Sequence, residues 1–365
     1  MPGHRHATPE NGTAADTSAK GRNAPSPDDD RKPSAPTDLR GPSWKYVLKR
    51  SMHEFTRNKC TDMAAGLTYH AVLSVFPALL AMVSLLGVVG QAESTTKALI
   101  GFLEQFASEG VVDTLRQPIE QLANTPSAGL ALIVGILGAL WSASGYTGAF
   151  GRSMNKIYDV AEGRSFFKLK PVLLLVTLVM LLVAVVVVVL LIVSGPIAKT
   201  LGDLIGFGDT AVMVWGIAKW PLAVLLVILV IAILYYGTPN VKQPKFRWLS
   251  IGSVIALVVL AVATVGFFFY VSNFGSYNAT YGAIGGVIVL LLWIWIANLS
   301  LLLGAVFDAE MERARQLQGG IKAERSVQLP PRDTKASDKQ ALVEERDVQA
   351  GSSLRHQSVR EPEDS

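Results

Sequence analysis

The stretch Trp248–Phe307 reads WLSIGSVIALVVLAVATVGFFFYVSNFGSYNATYGAIGGVIVLLLWIWIANLSLLLGAVF, 60 residues without Asp, Glu, Lys, Arg or His. A bilayer core of about 30 Å is crossed by roughly 20 helical residues, so this run is too long for one crossing. It carries its own punctuation at Asn273-Phe274-Gly275-Ser276-Tyr277-Asn278, a polar turn with helix-breaking residues. The run therefore predicts two membrane helices, 248–272 and 282–307.

Similar runs precede it. Between Asp62 and Glu93 only His70 can carry charge, and Gln121–Gly151 contains no acid, Lys or Arg. Pro171–Ala198 and Trp220–Val241 are equally clear, and Val183–Val193 is almost pure Val, Leu and Ile. These runs predict spans at 65–90, 128–150, 171–195 and 216–237. Lipid offers the backbone no hydrogen bonds, and no strand-like alternation is present, so the spans read as helices rather than as a barrel. The fold class is all-α, a polytopic membrane bundle of six helices.

Of the chain's 365 residues, 50% are hydrophobic and 17% charged, with mean hydropathy +0.36. The charge is uneven. Residues 1–43 hold six basic and six acidic residues, residues 312–365 hold ten of each, and 17 basic and 13 acidic remain for 44–311. The tails are rich in Pro, Ser, Asp and Arg with little apolar periodicity, and are expected to be disordered. The membrane domain is expected to occupy 44–311.

Orientation follows from the loops. Segments 44–62, 151–170 and 238–247 contain 13 Lys/Arg and four acids, whereas the alternate loops contain four Lys/Arg and seven acids. The positive-inside rule places both termini in the cytoplasm. No N-terminal apolar signal segment is visible, so the first span is expected to direct insertion and remain. The basic pI reflects orientation rather than a nucleic-acid partner, since the cations are spread over three loops and not gathered on one module.

Two segments do not span. Residues 43–60 read as an interfacial helix capped by Ser43, with Trp44, Val47, Leu48, Met52 and Phe55 near one face and Lys45, Lys49, Arg50 and Arg57 largely off it. It serves either as a topology anchor or as a lipid sensor. The loop 91–127 contains two helical patterns, Leu99/Phe102/Leu103/Phe106 and Val111/Val112/Leu115/Ile119/Leu122, and reads as an outer helical hairpin or lid.

Polar groups within the spans are costly without partners and are the best pointers to function. His70, Ser74, Pro77, Ala81 and Ser84 form a helical stripe in the first span. His70 reads as a hydrogen-bonded histidine or as a proton relay. Pro77 frees a carbonyl and marks a kink. Gly138, Ser142 and Gly145, with Ser144, Thr147 and Gly148, read as close helix packing or as a lined pathway. Trp141 and Trp293 fill core gaps or interface belts, Asn298 is expected to bond a neighbouring helix, and Lys219 to snorkel beside Trp215 and Trp220. Asp308 and Glu310, ending the last span, are available to Arg152 or Lys156.

Catalytic chemistry finds little support. The histidines are His4, His6, His53, His70 and His356, and none belongs to a metal-binding motif. Walker A and G-x-S-x-G sequences are lacking. The one cysteine, Cys60, forms no intramolecular disulfide and reads as a spectator thiol. No catalytic, cofactor-binding or metal-binding residue is assigned, and the chain is expected not to be an enzyme.

Four segments resemble the YihY/BrkB family of bacterial inner-membrane proteins, once labelled a ribonuclease. They are Asp62–Tyr69 with Leu73-Ser74-Val75-Phe76-Pro77; Trp141–Ser144 with Met154–Tyr158; Leu234-Tyr235-Tyr236 through Pro239 to Trp248; and Tyr277, Tyr281–Gly285, Trp293 and Leu303-Gly304-Ala305. The resemblance covers about 44–311. It departs at the end of the last span, where Val306 stands in place of a Glu and Asp308 near the position of an Asn. The resemblance implies a multi-pass plasma-membrane protein without established enzymatic activity.

The favoured expectation is transport or handling of a lipid, envelope component or small solute. Its candidate pathway or gating residues are Asp62, Tyr69, His70, Ser74, Pro77, Ser142, Ser144, Asn155, Tyr158, Tyr277, Tyr281 and Asn298. Asp62, Asn155 and Tyr158 would lie at the cytoplasmic mouth, and Tyr277 and Tyr281 at the outer one. The alternative is a non-catalytic scaffold whose tails recruit cytoplasmic partners and whose small-residue faces join helices or protomers into a homo-oligomer. A ribonuclease ranks last.

Overall fold

The computed structural model describes residues 12–88, 100–101, 112, 116, 129–192, 208–244, 246–273 and 277–360. The outer-loop reading of 91–127 lies almost wholly outside the described residues. Among the described residues there are nine α-helices and no named strand: α1 (Ala14–Asn23), α2 (Gly41–Arg57), α3 (Cys60–Val88), α4 (Gly129–Ile157), α5 (Phe166–Ile192), α6 (Gly208–Gly237), α7 (Phe246–Asn273), α8 (Tyr277–Gln318) and α9 (Lys335–Arg360). Four stretches are long and apolar enough to cross a membrane: Phe166–Leu191, Met213–Gly237, Ile251–Val271 and Gly285–Gln318. They fall on α5 to α8, where the uncharged runs place spans three to six. The first two expected spans fall on α3 and α4, each of 29 residues.

The six long helices close a ring in chain order, each packing on the next and α8 returning to α3. Small residues set how closely they approach. A Cβ on Gly252 of α7 would clash with the Asp308 carboxyl, and one on Gly304 of α8 would clash with the Gly252 carbonyl oxygen. Only hydrogen fits at either place, so α7 and α8 meet backbone to backbone. Phe150 of α4 stacks on Tyr235 of α6 at 5.9 Å in the central core, with Leu67, Met154, Leu234 and Leu302 also buried there.

Helix α4 stops at a left-handed residue. Asp159 has φ 52, and the Val160 amide donates back to the Asn155 carbonyl at 2.9 Å, closing the last turn. Asp tolerates this conformation better than most residues with a Cβ.

The expectation of disordered tails is corrected for residues 12–43 and 312–360. In α1 the Thr13 hydroxyl accepts from the Asp16 amide, the usual N-cap. The Lys20 ammonium donates to the Asp159 carbonyl at 2.6 Å, and the Ala161 amide donates to the Thr17 hydroxyl at 2.7 Å. Helix α8 runs past 311, and the chain beyond it returns across the bundle end. There Val327 and Leu329 enter the main core and Val241 bridges Pro331. Helix α9 then packs on α1. Composition read these charges as solvated. They are instead paired: Lys32 with Glu312, 280 positions away, at 2.9 Å, and Arg313 with Glu310, one helical turn earlier, at 3.0 Å. Buried ion pairs of this kind survive only with good geometry and further hydrogen bonds.

Helix α2 also differs in detail. It begins at Gly41 with Pro42 in its first turn, and Ser43 is not its cap; the Ser43 hydroxyl donates to Gln318 Oε1 at 3.0 Å. Its apolar set divides. Val47 is buried, Trp44 packs on Phe307 at 6.3 Å, and Leu48 and Met52 are exposed.

Candidate functional site

The candidate site is built from the faces that α3, α4, α5 and α6 turn towards one another. They form an open-sided cavity of about 470 Å³ lined by Ser74, Tyr146, Thr147, Thr177, Met180 and Val227, among others. This lies within the range of about 300–1,000 Å³ typical of small-molecule sites. Every polar side chain in its wall has a partner. Ser74 donates to the Ala143 carbonyl at 3.4 Å, Thr147 and Thr177 share a bond of 2.7 Å, and the Tyr146 hydroxyl donates to Asn298 Oδ1 at 2.8 Å. The remaining wall is aliphatic, so the cavity presents an apolar surface to its contents.

The sequence-predicted residues distribute unequally about it. Ser74 lines the cavity, and His70 lies one helical turn away with its Nε2 3.4 Å from Arg152 Nη2. Pro77 is partly buried inside α3. Asn298 supports the wall, bonding Tyr146 and, at 3.3 Å, the Thr68 hydroxyl. Ser144 is buried, donates to the Trp141 carbonyl at 2.6 Å and receives Lys170. Asp62, Tyr69 and Ser142 are exposed and face away. Tyr277 and Tyr281 lie in the first turns of α8, and their side chains are outside the described residues.

Among the described residues no helix packs closely on the stripe Gly138, Ser142, Gly145. Gly138 and Gly145 have open space where a Cβ would stand. Close packing uses the neighbouring face: a Cβ on Gly148 would lie 3.3 Å from Leu173, and one on Gly151 would lie 3.2 Å from the Thr238 carbonyl oxygen. The sequence showed the small residues but not which of two adjacent faces was covered.

Asn155 and Tyr158 belong to a second region, at the bundle end that carries both tails. Asn155 Oδ1 accepts from the Asn240 amide at 2.7 Å and its Nδ2 donates to Glu162 at 3.0 Å, while Arg164 holds Glu162 and the Thr238 carbonyl. Asn240 Nδ2 donates in turn to Ala161 and Asp333 carbonyls. Burial pushes the Asp159 carboxyl up despite Lys20, Arg313 and Arg57 nearby, and pushes the Lys20 ammonium down. The Cys60 thiol, buried here, is pushed up to about 12 by desolvation, which makes it a poor nucleophile.

Asp308 and Glu310 do not pair with Arg152 or Lys156. Asp308 Oδ1 accepts from the Gly252 amide at 2.8 Å, its Oδ2 has no hydrogen-bond partner among the described residues, and Glu310 pairs with Arg50 and Arg313. Sequence reasoning left Asp308 out of the candidate set. Its signal was the abrupt end of the 60-residue uncharged run. Among the described residues no group of three or more His, Cys, Asp or Glu is placed to hold a metal.

An all-helical chain with four membrane-length apolar stretches and an apolar cavity between its helices defines a class: helical integral membrane proteins. The family model described as Virulence factor BrkB matches residues 51–328, and the chain belongs to that family. It is 32% identical over 270 residues to the ribonuclease-like protein YfkH of Bacillus subtilis (strain 168), covering 74% of this chain and 96% of the relative. It is 25% identical over 267 residues to the UPF0761 membrane protein MS0032 of Mannheimia succiniciproducens, covering 73% and 89%. A UPF0761 membrane protein of Aggregatibacter aphrophilus is 24% identical over 273 residues, covering 74% and 94%. No solved structure matches. The family match ends at 328, so it takes in the first part of the returning C-terminal segment, which the expected boundary at 311 had left out. The chain is a bacterial membrane protein.

Proposed function

We propose that the protein handles a lipid or other apolar envelope component in the bacterial inner membrane, using the cavity between α3 and α6 as its binding site. The single supporting observation is the cavity of about 470 Å³, whose hydroxyls are all satisfied internally. A wall with no free donor or acceptor rewards an acyl chain by the area it removes from water and leaves an ion or sugar undersolvated. This favours the lipid reading over a small polar solute.

In this reading α3 to α8 cross the membrane six times with both termini in the cytoplasm, and the protein binds and positions its ligand without catalysing a reaction. The buried ion pairs and loop-to-tail hydrogen bonds of the bundle end support its lying outside the bilayer, and the excess of Lys and Arg in its loops supports the cytoplasmic side. Ser74, Pro77 and Asn298 shape or support the cavity, and His70 stands near its edge.

The test is replacement of Ala184, which lines the cavity, by Trp. The purified A184W protein should elute as wild type and lose binding of a fluorescent diacyl lipid probe. Undiminished binding would contradict the proposal.

A scaffold role has one observation in its favour: Leu342, Val343, Val348 and Leu354 of α9 are exposed. Against it stands the anchoring of the start of each tail: α1 bonds to the loop after α4, and α9 packs on α1.

A further inference from the structure

Outside the cavity, Arg152 and Lys170 stand beside an exposed aromatic surface of α4, with no carboxylate paired to either among the described residues. Lys170 lies inside the apolar stretch Phe166–Leu191. Its ammonium sits 3.9 Å over the Trp141 ring and donates to the Ser144 hydroxyl at 2.6 Å and to the Trp141 carbonyl at 3.3 Å. Arg152 folds back along α4, its Nη1 3.8 Å from where a Gly148 Cβ would be. A guanidinium only donates, so His70 Nε2, 3.4 Å from Nη2, accepts from it; that histidine orients Arg152 and adds no charge of its own. Among the described residues no acid pairs with either cation; Asp159, the acid nearest in sequence to Arg152, stands 3.9 Å from Arg57 and Arg313, and Glu162 is held by Arg164.

Ser144, Gly148 and Arg152 follow one another at i, i+4 and i+8, so the two cations lie over one face of α4, about one 5.4 Å turn apart. The surface beside them is apolar and aromatic: Trp141 is 50% exposed, Phe166 60% and Phe167 86%, with Leu73 exposed on α3. On the adjacent face of α4 the surface is shallow, with open space where a Cβ would stand at Gly145 and Gly138. A cation within a lipid-facing stretch needs a counter-charge. Unpaired cations beside an exposed Trp, above a shallow apolar track, match an anionic headgroup followed by an acyl chain.

We infer that Arg152 and Lys170 form a binding site for the phosphate of an anionic phospholipid, with Trp141 against its glycerol region and an acyl chain along Gly145 and Gly138. The site is separate from the cavity and does not depend on it. Its occupant is annular lipid held on the outer surface of α4, whereas the proposed cargo lies between α3 and α6.

The full-length protein is placed in nanodiscs containing dioleoylphosphatidylglycerol or dioleoylphosphatidylcholine, and lipid retained after delipidation is counted by native mass spectrometry. The wild type should keep phosphatidylglycerol in preference to phosphatidylcholine. Loss should be roughly fivefold per cation and about 25-fold in R152Q/K170Q. K219Q, which removes a cation 5.7 Å from Trp220 elsewhere on the surface, should behave as wild type. Equal retention by the double variant, equal retention of the two lipids by the wild type, or displacement by millimolar glycerol 3-phosphate would overturn the inference. Should the double variant not fold, wild-type protein decides: brominated phosphatidylglycerol should quench the emission lost in W141F more than brominated phosphatidylcholine does, and equal quenching refutes the site. The cavity variant A184W should retain phosphatidylglycerol as wild type does; loss there would merge the two sites and overturn their separation.

Discussion

Arg313 gives the sharpest test of how the C-terminal segment is held. It is 1% exposed. Its Nε donates to both Glu310 oxygens at 3.0 Å, its Nη1 to the Ala323 carbonyl at 2.9 Å, and its Nη2 stands 3.9 Å from Asp159. Replacing it by Met keeps most of the volume and removes every donor. Glu310 would keep only Arg50, at 3.3 Å, and Ala323 would lose the bond that anchors the returning chain. Breaking a buried pair from one side costs about 3–5 kcal/mol, because the other charge remains without its partner. At 1.4 kcal/mol per factor of ten, that raises local opening of the segment after α8 by roughly 150- to 4,000-fold. Trypsin reports this directly, since Lys322 and Arg325 are exposed between buried neighbours and cleavage follows the open population when reclosing is fast. R313M should be nicked there far faster than wild type. The double variant E310M/R313M should recover much of the protection, because no buried charge is then stranded. Wild-type resistance in R313M, or a double variant cleaved as fast as the single one, would refute this view of the bundle end.

Three further outcomes are expected. Gly304→Ala should weaken the α7–α8 contact by about 1–3 kcal/mol through overpacking against the Gly252 carbonyl, read as a lower unfolding temperature in detergent, with G145A, in open space, near neutral. Asn298→Leu strands the Tyr146 hydroxyl, while Thr68 keeps its bond to the Ala64 carbonyl, and should cost about 1–3 kcal/mol on the same measurement. The Asp333 carboxyl is held below its ordinary 3.8 by a hydrogen bond from Lys168, and that of Asp338 by bonds from Ser18 and Thr334. A depressed folded value contributes stability above the unfolded value that is lost as pH falls through the folded one. Spin labels on α1 and α9 should therefore keep their separation at neutral pH and broaden only below about pH 4; broadening near pH 6 would contradict this.

Much of the membrane part was legible because lipid imposes a simple rule. The uncharged runs placed α5 to α8 to within a few residues except at the start of α6 and the two ends of α8, and α7 ends at Asn273 and α8 begins at Tyr277, within the polar stretch expected to divide the longest run. Contacts between segments distant in sequence were not legible. Lys32 and Glu312 are 280 positions apart, and nothing local distinguishes them from solvated charges. Small-residue stripes were ambiguous for a related reason. Gly138/Gly145 and Gly148/Gly151 lie on adjacent faces of one helix, and only the position of α5 and the α6–α7 turn decides which is covered. Of the candidate residues, Ser74 and Asn298 reach the cavity or its support because a hydroxyl and an amide inside a span must find partners, as they do. Ser142 does not, since a serine can equally satisfy itself while facing outward. Thr147 and Thr177, which bond across the cavity wall, become a pair only once α4 and α5 are side by side.

The central claim, an apolar ligand held between α3 and α6, is tested most directly by photocrosslinking on α5. A benzoylphenylalanine at Ala184 faces the cavity, and one at Val186, 50% exposed, faces outward on the same helix. After extraction and detergent washing, illumination should yield a lipid-mass adduct at 184 and little at 186. Adduct at neither position, or equal adduct at both, would contradict a bound cavity lipid.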